Sequence, residues 1–384
     1  MLCIRNGHIK TMAGKDYENG AVLIGDDGRI LAVGDHLSIP ENAEIIDAGG
    51  RLVTPGCVEA HCHVGLDDEG MGWEGHDYNE SADPVTPHLR AIDSFDPIDE
   101  GLTKGLRGGV TTVCTGPGSA NVVGGTFAAV KMAGKRVDNM IVKSPLAMKC
   151  AFGENPKAFY GKKGKSPVTR MGTAALLREL LFKSRRYLEE KDAGKNPPFD
   201  MKLEAMIPVL RGEIPLKAHA HRHDDIFTAI RIAKEFGVRL TLDHCTDGAL
   251  IADELAKEGF PAFVGPTFGG KSKIELLGKS FRTPAILYEA GVDIAIITDA
   301  PVIPINALPM CAGLAVKSGL PMEEGWKAIT SNAARLTGIG DRVGSLEPGK
   351  DGDVVIWTED PLVYIGGEAW MTVVDGRIVY RAEA

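Results

Sequence analysis

The 384-residue sequence contains no run of about 18 apolar residues, so no bilayer-spanning helix is expected. Its opening, Met1-Leu-Cys-Ile-Arg-Asn-Gly, lacks the charged-then-apolar layout of a secretory leader, and a cytoplasmic protein is expected. Positive charge is in deficit: 43 Lys and Arg stand against 52 Asp and Glu, a formal net charge of -9. Nucleic acid and anionic membrane are thereby poor partners, because both require a basic face. The seven cysteines, Cys3, Cys57, Cys62, Cys114, Cys150, Cys245 and Cys311, are odd in number and show no C-x-x-C spacing. This argues against a disulfide framework or a zinc knuckle and for reduced, buried thiols. No internal repeat or low-complexity tract breaks the chain.

What is present is an ordinary globular composition, with 44% hydrophobic and 25% charged residues, in a chain longer than one usual domain. Residues 1–54 alternate short β runs with Gly and Asp turns, as in Ala21-Val-Leu-Ile followed by Gly25-Asp-Asp-Gly. The same texture returns at the far end, in Asp353-Val-Val-Ile-Trp and in an Asp375-Gly376 hairpin. Between them, apolar strands such as Gly109-Val-Thr-Thr-Val, Leu216-Lys-Ala-His and Arg239-Leu-Thr-Leu-Asp-His alternate with amphipathic helices near 173–190, 225–236 and 248–258. The expected architecture is α/β: a (β/α)8 TIM barrel over 55–343, with a small β-sandwich domain built from 1–54 and 344–384.

His61 and His63 stand two apart on an extended segment, so both imidazoles face one side and can share a cation. An isolated H-x-H says little, but this one follows Val53-Thr-Pro-Gly56 at the passage into the first barrel strand. His219, His244 and Asp299 close three further apolar strands, and barrel enzymes carry their reactive groups at strand C-terminal ends.

This set resembles the amidohydrolase superfamily of metal-dependent hydrolases, in the branch related to imidazolonepropionases and Xaa-Pro dipeptidases. The resemblance covers nearly the whole chain, including the closing Gly344-Ser-Leu-Glu-Pro-Gly-Lys-Asp-Gly-Asp. It implies a metal site of His61, His63, His219, His244 and Asp299, holding two divalent cations, zinc by family habit, in a homo-oligomer. It further implies a carboxylated lysine on strand four. Lys149, ending the apolar Leu146-Ala-Met, occupies a corresponding place, and carboxylation would relieve the cost of burying an ammonium. Glu154 is the rival ligand, and Lys131 and Lys143 stay open because the strand count before Lys217 is ambiguous. By the same resemblance His219 rather than His221 binds metal, leaving His221, with Arg222 and Lys271, for the substrate. The implied reaction is hydrolysis of an amide or cyclic amide C–N bond in a small molecule or dipeptide: a metal-activated hydroxide attacks the carbonyl and Asp299 shuttles the proton. His76 and His88 lie in an acidic stretch, 73–96, that could fold over the mouth.

Two other readings compete. A mononuclear aminohydrolase or an imidazolonepropionase-like enzyme shares the histidines, but ring deaminases need a glutamate soon after the strand-five histidine, and His219 is followed by Ala-His-Arg-His-Asp-Asp. Residues 265–272, Gly-Pro-Thr-Phe-Gly-Gly-Lys-Ser, match a phosphate-binding loop, yet such loops open their domain, and this one lies near the end of the chain.

Overall fold

The computed structural model describes residues 1–383. Its first five strands are β1 (Leu2–Ile9), β2 (Tyr17–Ile24), β3 (Ile30–Gly34), β4 (Glu44–Asp47) and β5 (Leu52–Pro55). Eight more follow: β6 (Cys57–Cys62), β7 (Val110–Thr115), β8 (Val123–Lys131), β9 (Ile141–Ala151), β10 (Leu216–Ala220), β11 (Leu240–His244), β12 (Ala262–Val264) and β13 (Ile294–Ile296). The last three are β14 (Val354–Trp357), β15 (Ala369–Val374) and β16 (Arg377–Arg381).

The two chain ends share one hydrogen-bonded sheet, in the order β16-β15-β14-β5-β1-β2-β3 with β4 beside β1. Val354 to Ile356 pair antiparallel with Pro55 to Val53, which joins the C-terminal strands to the N-terminal ones. Ile4, Ile24, Val53, Val354 and Met371, from both ends, are buried in one apolar cluster, so neither end could complete this core alone. The sheet is continuous rather than split into two separate hydrogen-bonded layers.

The central strands form a nearly closed eight-stranded sheet in sequential order from β6 to β13. One feature departs from a strict (β/α)8 barrel: β8 runs antiparallel to both β7 and β9. The cause is connection length. A parallel return needs a crossover of a dozen or more residues, whereas 116–122 and 132–140 are short links, and only the 3-10 turn Val137–Asn139 interrupts the second. From β9 onward all pairings are parallel, with helices Arg170–Asp192, His223–Phe236, Ala252–Glu258 and Thr283–Glu289 in the crossovers. Thr169 caps the first of these through Oγ1, which accepts from Gly172 N, and Gly237, in the left-handed region at φ 66°, ends the second.

No ladder joins β13 to β6 among the described residues, but the seam is held by other bonds. His63 N donates to Ala300 O at 2.7 Å, and Glu59 on β6 accepts from Thr298, two residues beyond β13. At the entry to β6, a Cβ on Gly56 would lie 2.1 Å from Thr111 Oγ1, so only glycine lets the chain pass from sheet to barrel here. Residues 73–96 are anchored beside the barrel rather than free: Tyr160 Oη donates to Glu80 O and Asp83 O, and isolated bridges tie Val85 and Arg90 to β8. All seven cysteines are unpaired and buried. Among the described residues no helix is long and apolar enough to cross a membrane.

Candidate active site

Strand alternation delivers the first pair of candidate ligands. His61 in β6 and His63 just past it share one face, and the Nε2 atom of each lies 3.3 Å from Asp299 Oδ1. On β10, Lys217 and His219 share the inward face, and His221 follows beyond the strand end. Lys217 is in register with Lys149 of β9, so the two lysines lie side by side.

The other end of the cluster breaks the alternation rule. Asp243 and His244 are consecutive and would point to opposite faces of a regular strand, yet both join the same buried group. His244 has φ 72° and Cys245 φ 47°, left-handed values that turn the backbone so that both side chains reach inward. Asp299 is similarly held at φ 55°. Such conformations cost of order 1–3 kcal/mol for non-glycine residues and cluster at functional sites.

Four histidines have their Nδ1 atoms engaged from outside. His63 Nδ1 lies 2.7 Å from Gly116 O, and His244 Nδ1 lies 2.7 Å from Gly265 O. His221 Nδ1 is 2.7 Å from Thr246 Oγ1, and His219 Nδ1 is 2.9 Å from Ser119 Oγ. Carbonyl acceptors leave the Nε2 atoms of His63 and His244 as lone-pair donors. Gly265 can present its carbonyl because it is glycine: at φ 147°, a Cβ there would sit 2.1 Å from Ile297 O. His244 Nε2 is buried without a hydrogen-bond partner.

Two overlapping donor groups result. Potential ligand atoms of His219, His221 and His244 lie within 4.8 Å of one another, as do those of His61, His244 and Asp299. Nitrogen and carboxylate donors in this mixture suit zinc and similar divalent cations, so the residues fit the metal that the fold implies. Burial pushes His244 down to about 3 and, aided by neighbouring His244, drives His219 and His221 well below their ordinary value, leaving neutral imidazoles able to ligate. Burial opposes ionisation of Asp299, but His244, His61 and His63 outweigh it and hold the carboxyl well below the usual range.

Lys149 is fully buried, with Nζ 3.3 Å from His61 Nε2 and 3.7 Å from Asp243 Oδ2, and burial brings its ammonium down to about 8. Glu154 opens helix Glu154–Gly161, and its backbone N–H donates to Glu275 Oε2 at 3.0 Å. Arg222 is half-buried and forks onto Asp224. Lys271 is exposed, and its Nζ donates to Leu277 O. Lys131 instead pairs with Asp351 and Asp353, each at 2.8 Å, and Lys143 Nζ donates to Gly338 O. His76 pairs with Asp67. The apparent phosphate loop has no helix at its end: after Lys271 and Ser272 comes the 3-10 turn Ile274–Leu276, so the strand–loop–helix arrangement that a phosphate loop requires does not form.

Several polar residues of the cluster escaped sequence reasoning. Asp243 accepts from Lys217 at 2.8 Å beneath the histidines, and Lys217 rests 4.1 Å from the Phe263 ring centroid. Glu275 is 2% exposed, and its Oε1, without a hydrogen-bond partner, lies 3.9 Å from His221 Nε2. Asn155 Nδ2 approaches His219 Nε2 at 3.4 Å.

A barrel-like α/β sheet carrying two histidine-rich donor groups at the strand ends makes a candidate metal centre of the kind metal-dependent hydrolases use, and comparison with known proteins supplies the class. The amidohydrolase family profile matches residues 231–380. The crystal structure of an amidohydrolase from Thermotoga maritima MSB8 superimposes with a TM-score of 0.96 at 40% identity, covering 100% of both chains. The amidohydrolase tasK of Hapsidospora irregularis is 30% identical over 89% of this chain, which spans only 38% of that protein's length. The imidazolonepropionase of Rhizobium rhizogenes is 27% identical over 90% of this chain and 88% of its own. The chain belongs to the amidohydrolase family, and it is a hydrolase acting on carbon–nitrogen bonds.

Proposed function

We propose that the chain cleaves an amide or cyclic amide bond of a small molecule or dipeptide, with two divalent cations held by His61, His63, Lys149, His219, His244 and Asp299. The observation that carries this reading is the convergence of inward Nε2 atoms, steadied from outside through Nδ1, on the Asp299 carboxylate. Cations bound there would polarise the scissile carbonyl and make water nucleophilic near neutral pH. Asp299, kept ionised by its histidine neighbours, accepts the proton of the attacking water and passes it to the leaving nitrogen as the C–N bond breaks. Lys149 is buried and poorly paired as an ammonium, which favours its carboxylation to an anionic ligand. His221 faces the substrate, with Arg222 and Lys271 nearer the mouth. The same reading treats 55–343 as the catalytic barrel and 1–54 with 344–384 as one composite β domain, supported by the single sheet and the shared core that both ends build.

Metal analysis of protein purified without chelator tests this, paired with intact mass under native and denaturing conditions and a panel of N-acyl amino acids, dipeptides and lactams. Two zinc equivalents per chain, a carbon dioxide adduct seen only in the native spectrum, and turnover of a panel member are expected. Absence of bound metal together with absence of turnover overturns the reading. One observation favours a second reading, a mononuclear aminohydrolase: Glu275 brings to His221, from another loop, the carboxylate that strand five lacks. One zinc equivalent, no adduct and ammonia release from an aminated ring would select it.

A further inference from the structure

Among the five clustered histidines, His61 is set apart by what stands behind it. The other four present Nδ1 to neutral oxygens, those of Gly116, Gly265, Thr246 and Ser119. His61 Nδ1 has only the Asp243 carboxylate, whose Oδ2 lies 3.0 Å away. The contact is bent away from ideal hydrogen-bond geometry, yet both atoms are buried and neither makes a hydrogen bond elsewhere; His61 Nδ1 is the nearest polar neighbour of Oδ2, with Lys149 Nζ farther off at 3.7 Å. The second oxygen of Asp243 is fixed by Lys217 Nζ at 2.8 Å. Lys217 is itself clamped, 2% exposed, with its ammonium over the rings of Phe263 and Phe127 at 4.1 and 5.5 Å.

We propose that Asp243, anchored by Lys217, is a positioning residue for His61: it holds the proton on Nδ1, aims Nε2 into the metal site, and makes His61 the most electron-rich of the histidine ligands. The inference rests on the metal-site reading above and concerns two residues beneath the histidines, Asp243 being in register with His219 on the neighbouring strand. A carboxylate behind a ligating imidazole fixes its tautomer and raises its basicity, and removing such a partner weakens metal binding by roughly 10–100-fold. An unpaired carboxylate could not do this, because burial without a counter-charge would neutralise it; Lys217 removes that cost.

The test uses the full-length chain in three forms: wild type, Asp243→Asn, and the double variant Lys217→Met/Asp243→Leu. Zinc affinity is measured by chelator competition, thermal melting is followed on the metal-free proteins, and histidine tautomers are read from 15N shifts of the labelled wild type. The expected result is an Nδ1–H tautomer for His61 and a drop in zinc affinity of roughly 10–100-fold in Asp243→Asn. The double variant, in which an apolar pair replaces the ion pair, should recover the melting temperature but not the zinc affinity, since a merely structural ion pair is often replaceable in this way. An Nε2–H tautomer in the wild type overturns the proposal, as does unchanged affinity in Asp243→Asn or restored affinity in the double variant. Should Asp243→Asn fail to fold, the wild-type tautomer and the double variant decide the matter. Failure of the metal reading shows itself differently, as a wild type that binds no zinc, and the tautomer measurement then still reports on Asp243.

Discussion

Thr298 donates twice to one oxygen of Glu59, through its backbone N at 2.9 Å and through Oγ1 at 2.6 Å. The other Glu59 oxygen accepts from His61 N at 3.0 Å. A single buried carboxylate thus links the strand carrying His61 and His63 to the segment carrying Asp299, across the one seam of the sheet that backbone ladders leave open. Together with the bond from His63 N to Ala300 O, this side chain sets the register between the candidate ligands His61 and His63 and the proposed proton carrier.

Glu59 should leave a signature in stability against pH. Burial raises its carboxyl from 4.5 to about 7, despite three donated hydrogen bonds that favour the ionised form. The unfolded chain therefore releases the proton at lower pH than the folded one. Glu59 costs nothing below about pH 4.5, and its contribution falls as pH rises to about 7, by about 3 kcal/mol in total. Urea unfolding of metal-free protein across that window should show this loss, and Glu59→Gln should flatten it relative to wild type. A difference between the two proteins that does not vary with pH would mean that Glu59 titrates normally.

Asp299→Asn separates chemistry from metal binding. Asparagine tolerates the left-handed φ of 55° at this position and keeps an oxygen for the histidines, but it cannot carry a proton. Turnover should fall by roughly 10²–10⁴-fold while zinc content is largely retained. Steady-state kinetics on metal-quantified protein measure both, and proportional loss of metal and activity would assign Asp299 to binding alone.

Much of this architecture was legible in the chain. His61, His63, His219, His244 and Asp299 announce themselves by residue type at the ends of apolar runs, and the β texture at both termini foretells the shared sheet. Two things were not legible. The reversed direction of β8 follows from link length around it, and an apolar nine-residue strand reads the same in either direction. Asp243 was hidden because alternation places it opposite His244; only the positive φ of His244 brings both inward, and no periodicity in the sequence encodes that torsion. Glu275 was hidden differently, in a polar loop that looks solvated until the fold presses it against His221.

His221 depends on a single hydroxyl. Thr246→Val replaces Oγ1 with a methyl group and leaves His221 Nδ1 buried without its partner, at a cost of about 1–3 kcal/mol. Thr246→Ser keeps the bond and should behave as wild type. Differential scanning calorimetry of the two variants checks this, and equal melting temperatures would show that another group replaces the hydroxyl.

Lys131 provides the contrast with Lys149. Both are buried lysines on neighbouring strands of the barrel, but Lys131 Nζ lies 2.8 Å from Asp351, 2.8 Å from Asp353 and 3.2 Å from Asp375, all in the C-terminal segment. It fastens β8 to the sheet built from the chain ends, far in character from any ligand role. Lys131→Met would strand buried carboxylates with only Arg342 and Arg29 left on Asp351, and loss of one partner from a buried network costs about 3–5 kcal/mol. Stability should drop by that order with zinc content per folded chain unchanged, and part of the loss should return in mild acid as the orphaned carboxylates take up protons. Lys149→Met should do the reverse, emptying the metal site while relieving a poorly paired buried ammonium. Unfolding curves and metal analysis on the two variants together resolve which lysine holds the fold and which serves the site.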